Sequence, residues 1–95
     1  MNCLNMLRWL TMSFKPTKKQ QNEAMAGVFE LYHNPINENR YDHYIYSFLN
    51  ALMLYPDDIK QALELANKLN NQLIQPLTEP EKELAYQQLE ARWAD

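Results

Sequence analysis

One glycine, one cysteine, two histidines and two serines in 95 residues leave little material for chemistry. With Gly27 alone, no glycine-rich loop can cradle a phosphate. One glycine beside five prolines also argues against an all-β fold, which needs many tight turns. Cys3 cannot form an intrachain disulfide framework, and a lone thiol fits a reducing compartment, here read as the cytoplasm. His33 and His43 fall on different elements, neither has a companion at metal-ligand spacing, and there is no H-E-x-x-H. Neither Ser13 nor Ser47 sits in a nucleophile-elbow setting. No catalytic or metal-binding residue is therefore assigned, no cofactor is expected, and the chain is read as not an enzyme.

Charge is unevenly placed. Residues 1–40 hold five Lys or Arg against three Glu, whereas residues 41–95 hold four against nine Asp or Glu, for a net charge of −3. An acidic half of this size disfavours a nucleic-acid partner, since phosphate binding wants a basic face. The patch Lys15, Lys18 and Lys19 is too small to carry that role. The abundant carboxylates Asp57, Asp58, Glu79 and Glu81 sit at helix starts, where capping and the helix dipole favour them. Arg40, Asp42 and His43 are the nearest approach to a polar cluster, and their spacing spreads them around a helix.

Residues 1–14, MNCLNMLRWLTMSF, are apolar but too short and too interrupted by Arg8 to cross a membrane. They lack the basic region and cleavage site of a signal peptide. Two readings stay open: a fifth, short amphipathic helix with Leu4 and Leu7 on one side, or an extension upstream of a natural start at Met12. Membrane contact through Trp9 and Leu10 is disfavoured, because an interfacial helix shows a strongly basic polar face.

The remainder divides into four helices, about 17–32, 38–55, 56–75 and 79–93, and predicts one all-α domain, a compact bundle. In the first, Thr17 is the N-cap and Ala24, Met25, Val28 and Tyr32 turn inward below Gln21. Gly27 and Ala24 form a small-residue patch that Tyr44 or Phe48 would approach. Asn37 is read as the N-cap of the second helix, and Pro56 as the first turn of the third. The third helix has a stripe of Ile59, Ala62, Leu63, Ala66, Leu69 and Leu73. Thr78-Glu79-Pro80-Glu81 reads as a capping box opening the fourth, whose Ala85, Tyr86, Leu89 and Trp93 face inward.

The stretch Tyr41–Tyr55 carries four of the six tyrosines. Stepped at ~100° per residue, its apolar side chains cover roughly 220°, about twice what a surface helix needs. An inward stripe, Tyr41, Ile45, Phe48 and Leu52, leaves a second apolar face of Tyr46, Leu49 and Met53. Beside it runs a polar strip, His43, Ser47 and Asn50, read either as solvent-facing or as a seam along a binding face. Tyr and Met are enriched at interfaces. The candidate partner-binding residues are therefore Tyr46, Leu49, Met53, His43 and Asn50. The expected function is a small protein-binding module, an inhibitor, immunity-type or adaptor protein of bacterial or phage origin. The alternative is a homodimeric structural or regulatory bundle.

Overall fold

Each helix begins where a side chain can accept from the first turn. The computed structural model describes residues 15–93, which form α1 Lys18–His33, α2 Arg40–Leu54, α3 Ile59–Asn70 and α4 Glu79–Trp93, with no strand among the described residues. The expected fifth helix over residues 1–14 lies outside the described residues. Thr17 caps α1 as expected and makes a full capping box with Gln20. The Thr78–Glu81 box is also formed: Thr78 N–H donates to Glu81 Oε1 at 3.0 Å and Glu81 N–H to Thr78 Oγ1 at 3.4 Å.

The second and third helices start later than the sequence suggests. Asn39, not Asn37, caps α2, accepting from Asp42 N–H at 3.2 Å. Asn37 is occupied elsewhere, since its Oδ1 accepts from Ile74 N–H at 2.9 Å. Asp58 caps α3 by accepting from Gln61 N–H at 3.1 Å, which leaves Pro56 and Asp57 in the turn before it. Proline suits a first turn, but it has no side-chain acceptor, and the aspartate two residues on does. The third helix also stops at Asn70 rather than Gln75. Asn70 pairs both ways with the backbone of Leu77, Nδ2 to the carbonyl at 3.2 Å and Oδ1 from the N–H at 2.9 Å. That buried pairing ties the loop back across the helix end and offers the backbone an alternative to more helix.

α2 is central and packs against each of the other three helices. Tyr44, Ile45, Phe48, Ala51 and Leu52 are buried from it, and Ala62 and Ala66 of α3 and Ala85 and Leu89 of α4 meet them. The alanines let the helices approach closely, while each large side chain contributes about 1.5–3 kcal/mol on burial. Tyr86 of α4 lies against Tyr44 and Phe48 with ring centroids 5.8 and 5.6 Å away, both edge-on. The two tyrosine hydroxyls are 2.6 Å apart, and burial pushes that of Tyr44 up, so it stays neutral.

α1 is rotated relative to the expected arc. Ala24 and Leu31 are buried and Val28 is half-buried, but Met25 and Tyr32 point outward. The inward face is turned by roughly 60° on the helical wheel. The reason lies in what α2 presents. Gly27 faces Asn50, not Tyr44 or Phe48, and a Cβ at Gly27 would sit 3.1 Å from the Asn50 amide. Gln21 donates to the Met53 carbonyl at 3.0 Å, which fixes the other end of the same contact.

The α1–α2 and α3–α4 loops are joined at one end of the bundle. Arg40 Nε donates to the Gln75 carbonyl at 2.6 Å, and the guanidinium grips Glu81 with both terminal nitrogens, at 3.0 and 2.8 Å. Both side chains are only about a quarter exposed, at 26 and 24%. The Arg40 hydrogen bond, then the Thr78 backbone N–H, holds the Glu81 carboxyl at about 2 instead of 4.5.

Two outcomes are expected. Because the folded-state pKa of Glu81 lies below its ordinary value, its stabilisation is full above about pH 4.5 and is lost as the pH falls toward about 2. Glu81→Gln should therefore melt lower than the parent at pH 7, and the gap in Tm should close on titration toward pH 2. Gly27→Ala should raise stability by about 0.5 kcal/mol in urea unfolding: it gains helix propensity, and only the movable Asn50 amide must give. Destabilisation would mean that Asn50 cannot yield.

Candidate binding surface

Five side chains were singled out by sequence, and the structure separates them. His43 is wholly buried. Its Nδ1 accepts from Ile36 N–H at 3.1 Å, which leaves Nε2 to donate to the Leu69 carbonyl at 2.8 Å. The imidazole is thus a neutral strut between the α1–α2 loop and the end of α3. It is not open to a partner. Ser47 is equally buried and donates to the His43 carbonyl at 2.6 Å, one turn back. The polar strip expected to meet solvent is, at these two positions, an interior seam.

Leu49 packs against the core, and Met53 is half-buried. Asn50 is half-buried between Gly27 and the Tyr46 carbonyl, to which its amide donates at 2.9 Å. Tyr46 alone of the five is exposed, at 48%.

The larger apolar surface is on α1. Met25, Phe29 and Tyr32 are 59, 67 and 50% exposed. Their spacing, i, i+4 and i+7, places them within about 60° of one another on the wheel. His33 closes the far end of this stripe: its ring lies 4.3 Å from Phe29, tilted, and 5.2 Å from Tyr32, edge-on. At roughly 200 Å² for each large side chain, these exposures leave about 350 Å² of apolar-rich surface. The largest apolar patch on a monomer is commonly about 300–600 Å² and is often functional, and this one falls in that range. Ile74, Leu84 and Tyr55 are exposed singly on other elements, which is ordinary.

Sequence reasoning missed this stripe because it placed Met25 and Tyr32 inward and passed over Phe29 and Leu31. A signal was available. Apolar residues on α1 outnumber one face, as they do on α2, and Met25, Phe29 and Tyr32 form a second register offset from Ala24, Val28 and Leu31.

The groups of this surface are the Met25 thioether, the Phe29 and Tyr32 rings and the His33 imidazole, suited to apolar contact and edge hydrogen bonds. Among the described residues no three His, Cys, Asp or Glu side chains come together to hold a metal ion, and no helix is long and apolar enough to cross a membrane. The chain matches no protein family, no curated protein and no solved structure.

The strut reading of His43 makes a direct prediction. His43→Ala removes a buried ring and strands both a donor and an acceptor, so unfolding in urea should show a loss of about 2–4 kcal/mol. A loss under about 1 kcal/mol would mean that the Ile36 and Leu69 backbone groups find other partners.

Proposed function

We propose that this chain is a small, non-enzymatic protein-binding module of the inhibitor, immunity-type or adaptor kind. On this reading α1 is its contact helix. The observation that carries the reading is the outward stripe Met25, Phe29 and Tyr32, exposed on a fold whose other helices point most of their large apolar side chains inward. Anchors at i, i+4 and i+7 are how one helix face fills an apolar groove on a partner. Aromatic and methionine side chains supply the area and adaptability such contacts use. Tyr46 would add a peripheral contact. The lone Cys3 agrees with action in a reducing compartment. The alternative is a homodimer through the same stripe; at about 350 Å² the three side chains fall short of the roughly 800 Å² each partner gives to a stable interface of either kind, so flanking surface must contribute in both readings.

Replacing Met25 and Phe29 together with serine tests this. Both side chains are mostly exposed, so helicity should hold and the change in stability should stay within about 1 kcal/mol for the pair. Capture of a partner from extracts of the native host should fall at least tenfold relative to the parent, since losing two anchors costs about 2 kcal/mol or more. Tyr46→Ser should weaken capture less. Light scattering of the parent should give a monomer. A dimer that the serine pair dissociates would replace this reading with self-association.

A further inference from the structure

The outward stripe of α1 carries cations at one end and no carboxylate along its length. We propose that its partner is a protein whose apolar groove ends in a cluster of carboxylates. Met25, Phe29 and Tyr32 fill the groove, and Lys15, Lys18 and Lys19 meet the carboxylates. The proposal rests on the reading of α1 as a contact helix and goes further by naming the chemistry of the surface it fits and the direction in which the helix lies there.

Four observations carry it. The first is alignment. Lys18, Asn22, Met25, Phe29 and Tyr32 stand at i, i+4, i+7, i+11 and i+14, all exposed, and the helix winds them into one line within about 80° of the wheel. That line runs from an ammonium group through an amide to a thioether and two rings. The second is the segregation of charge. Glu23 and Glu30 are the only carboxylates of α1, and the same winding sets them roughly 130–150° from the centre of the stripe. The third is that the bundle makes no use of these lysines. All three are exposed, and the ion pairs among the described residues are Arg40–Glu81 and Lys82–Glu79. Lys18 and Lys19 also oppose the dipole of their own helix, whose start favours negative charge. α1 has no acid in its first turn, whereas Asp42 stands in that of α2, Asp58 caps α3, and Glu79 and Glu81 open α4. An anionic surface outside the bundle gives these cations the counter-charge that the bundle does not. The fourth sets a second copy aside. Two stripes laid antiparallel put Lys18 of one beside Tyr32 and His33 of the other, and two laid parallel put Lys18 beside Lys18. Neither arrangement brings a carboxylate onto the line.

The test uses the full chain and a nuclease-treated extract of the native host. The protein retained by the parent chain and lost by the Met25 and Phe29 serine pair is purified, and its association with the chain is timed at rising salt. The association rate should fall at least about tenfold between about 0.02 and 0.5 M salt, while dissociation changes little. Lys18→Glu with Lys19→Glu should slow association about tenfold at low salt and remove the salt dependence. The same variant should melt at or above the parent's Tm, because acids suit a helix start. Slower binding with an undiminished Tm cannot come from a damaged fold. Glu23→Gln, a charge change away from the stripe, should leave the rate within about twofold. Carbodiimide, which joins an amine to a carboxylate it touches, should link Lys18 or Lys19 to an Asp or Glu of the captured protein. A rate indifferent to salt, a rate that rises with salt, or links to Lys18 and Lys19 that never form would each overturn the proposal and leave the binding reading standing. Capture that ignores the serine pair, or no capture at all, removes the binding reading and this inference with it. Vesicles of equal parts phosphatidylglycerol and phosphatidylcholine should not retain the chain. Retention that the Lys18→Glu, Lys19→Glu variant abolishes would make the anionic surface a lipid one and overturn the proposal in that direction.

Discussion

Everything in this fold depends on α2 being enclosed. It is the helix that packs against all three others, and its buried positions, from His43 through Ser47 to Leu52, run around more than half of its circumference. A helix so enclosed must satisfy its neighbours on several sides at once. Large rings face α4, where Tyr44 and Phe48 meet Tyr86. Alanines in α2 and α3, Ala51, Ala62 and Ala66, are fully buried and leave room for backbones to approach. Toward α1 the matching element is glycine, with Asn50 seated against Gly27. The hydrophobic effect drives the enclosure, and the differing sizes of these residues decide which neighbour takes which side.

Enclosure makes polar residues on α2 into structural members. His43 cannot reach water, so both ring nitrogens must be bonded inside the protein, and the two bonds go to different elements, Ile36 and Leu69. At the same end, Asn37 holds Ile74, Asn70 holds Leu77, and Arg40 holds both Gln75 and Glu81. Two loops that carry almost no regular structure are thereby fixed by side chains from α2 and α3 and by Asn37 of the first loop itself. The arrangement answers an accounting problem: loop backbone that leaves the surface needs partners, and here asparagine, arginine and histidine supply them.

Helix number, order and class are legible in the chain because capping chemistry is local. Thr17 and the Thr78–Glu81 box satisfy their own first turns and can be recognised without knowing what lies nearby. Asn37 and Asn39 are equally good caps on paper. The choice between them is made by Ile74, thirty-seven residues away in sequence from Asn37, and no local pattern contains that information. The same holds for the end of α3, set by the Asn70–Leu77 pairing. Periodicity identified α2 as apolar on too many sides, but it could not say that the side bearing His43 and Ser47 would be sealed. That follows from backbone groups on other elements needing their hydrogen bonds. On α1 the obstacle was different. Two apolar registers coexist there, and the sequence does not rank them; in the fold Gly27 lies against Asn50 and the register that holds Ala24 and Leu31 is the buried one.

That orientation has an energetic oddity. α1 turns its small and medium residues, Ala24, Gly27, Val28 and Leu31, toward the bundle and its largest, Met25, Phe29 and Tyr32, away from it. At roughly 25 cal/mol per Å², about 350 Å² of exposed apolar surface leaves about 9 kcal/mol of transfer free energy unrealised, comparable to the whole stability of a small domain. A helix selected only to stabilise this bundle would carry a polar residue where Phe29 sits, and this one does not. Within the stripe, the His33 ring lies tilted against Phe29 and edge-on to Tyr32. Aromatic side chains have few rotatable bonds, so they offer contact area at a low entropy cost. The inversion of α1 therefore makes physical sense if the bundle is the support and α1 the surface it supports, and this asymmetry, more than any single residue, is the ground of the binding reading.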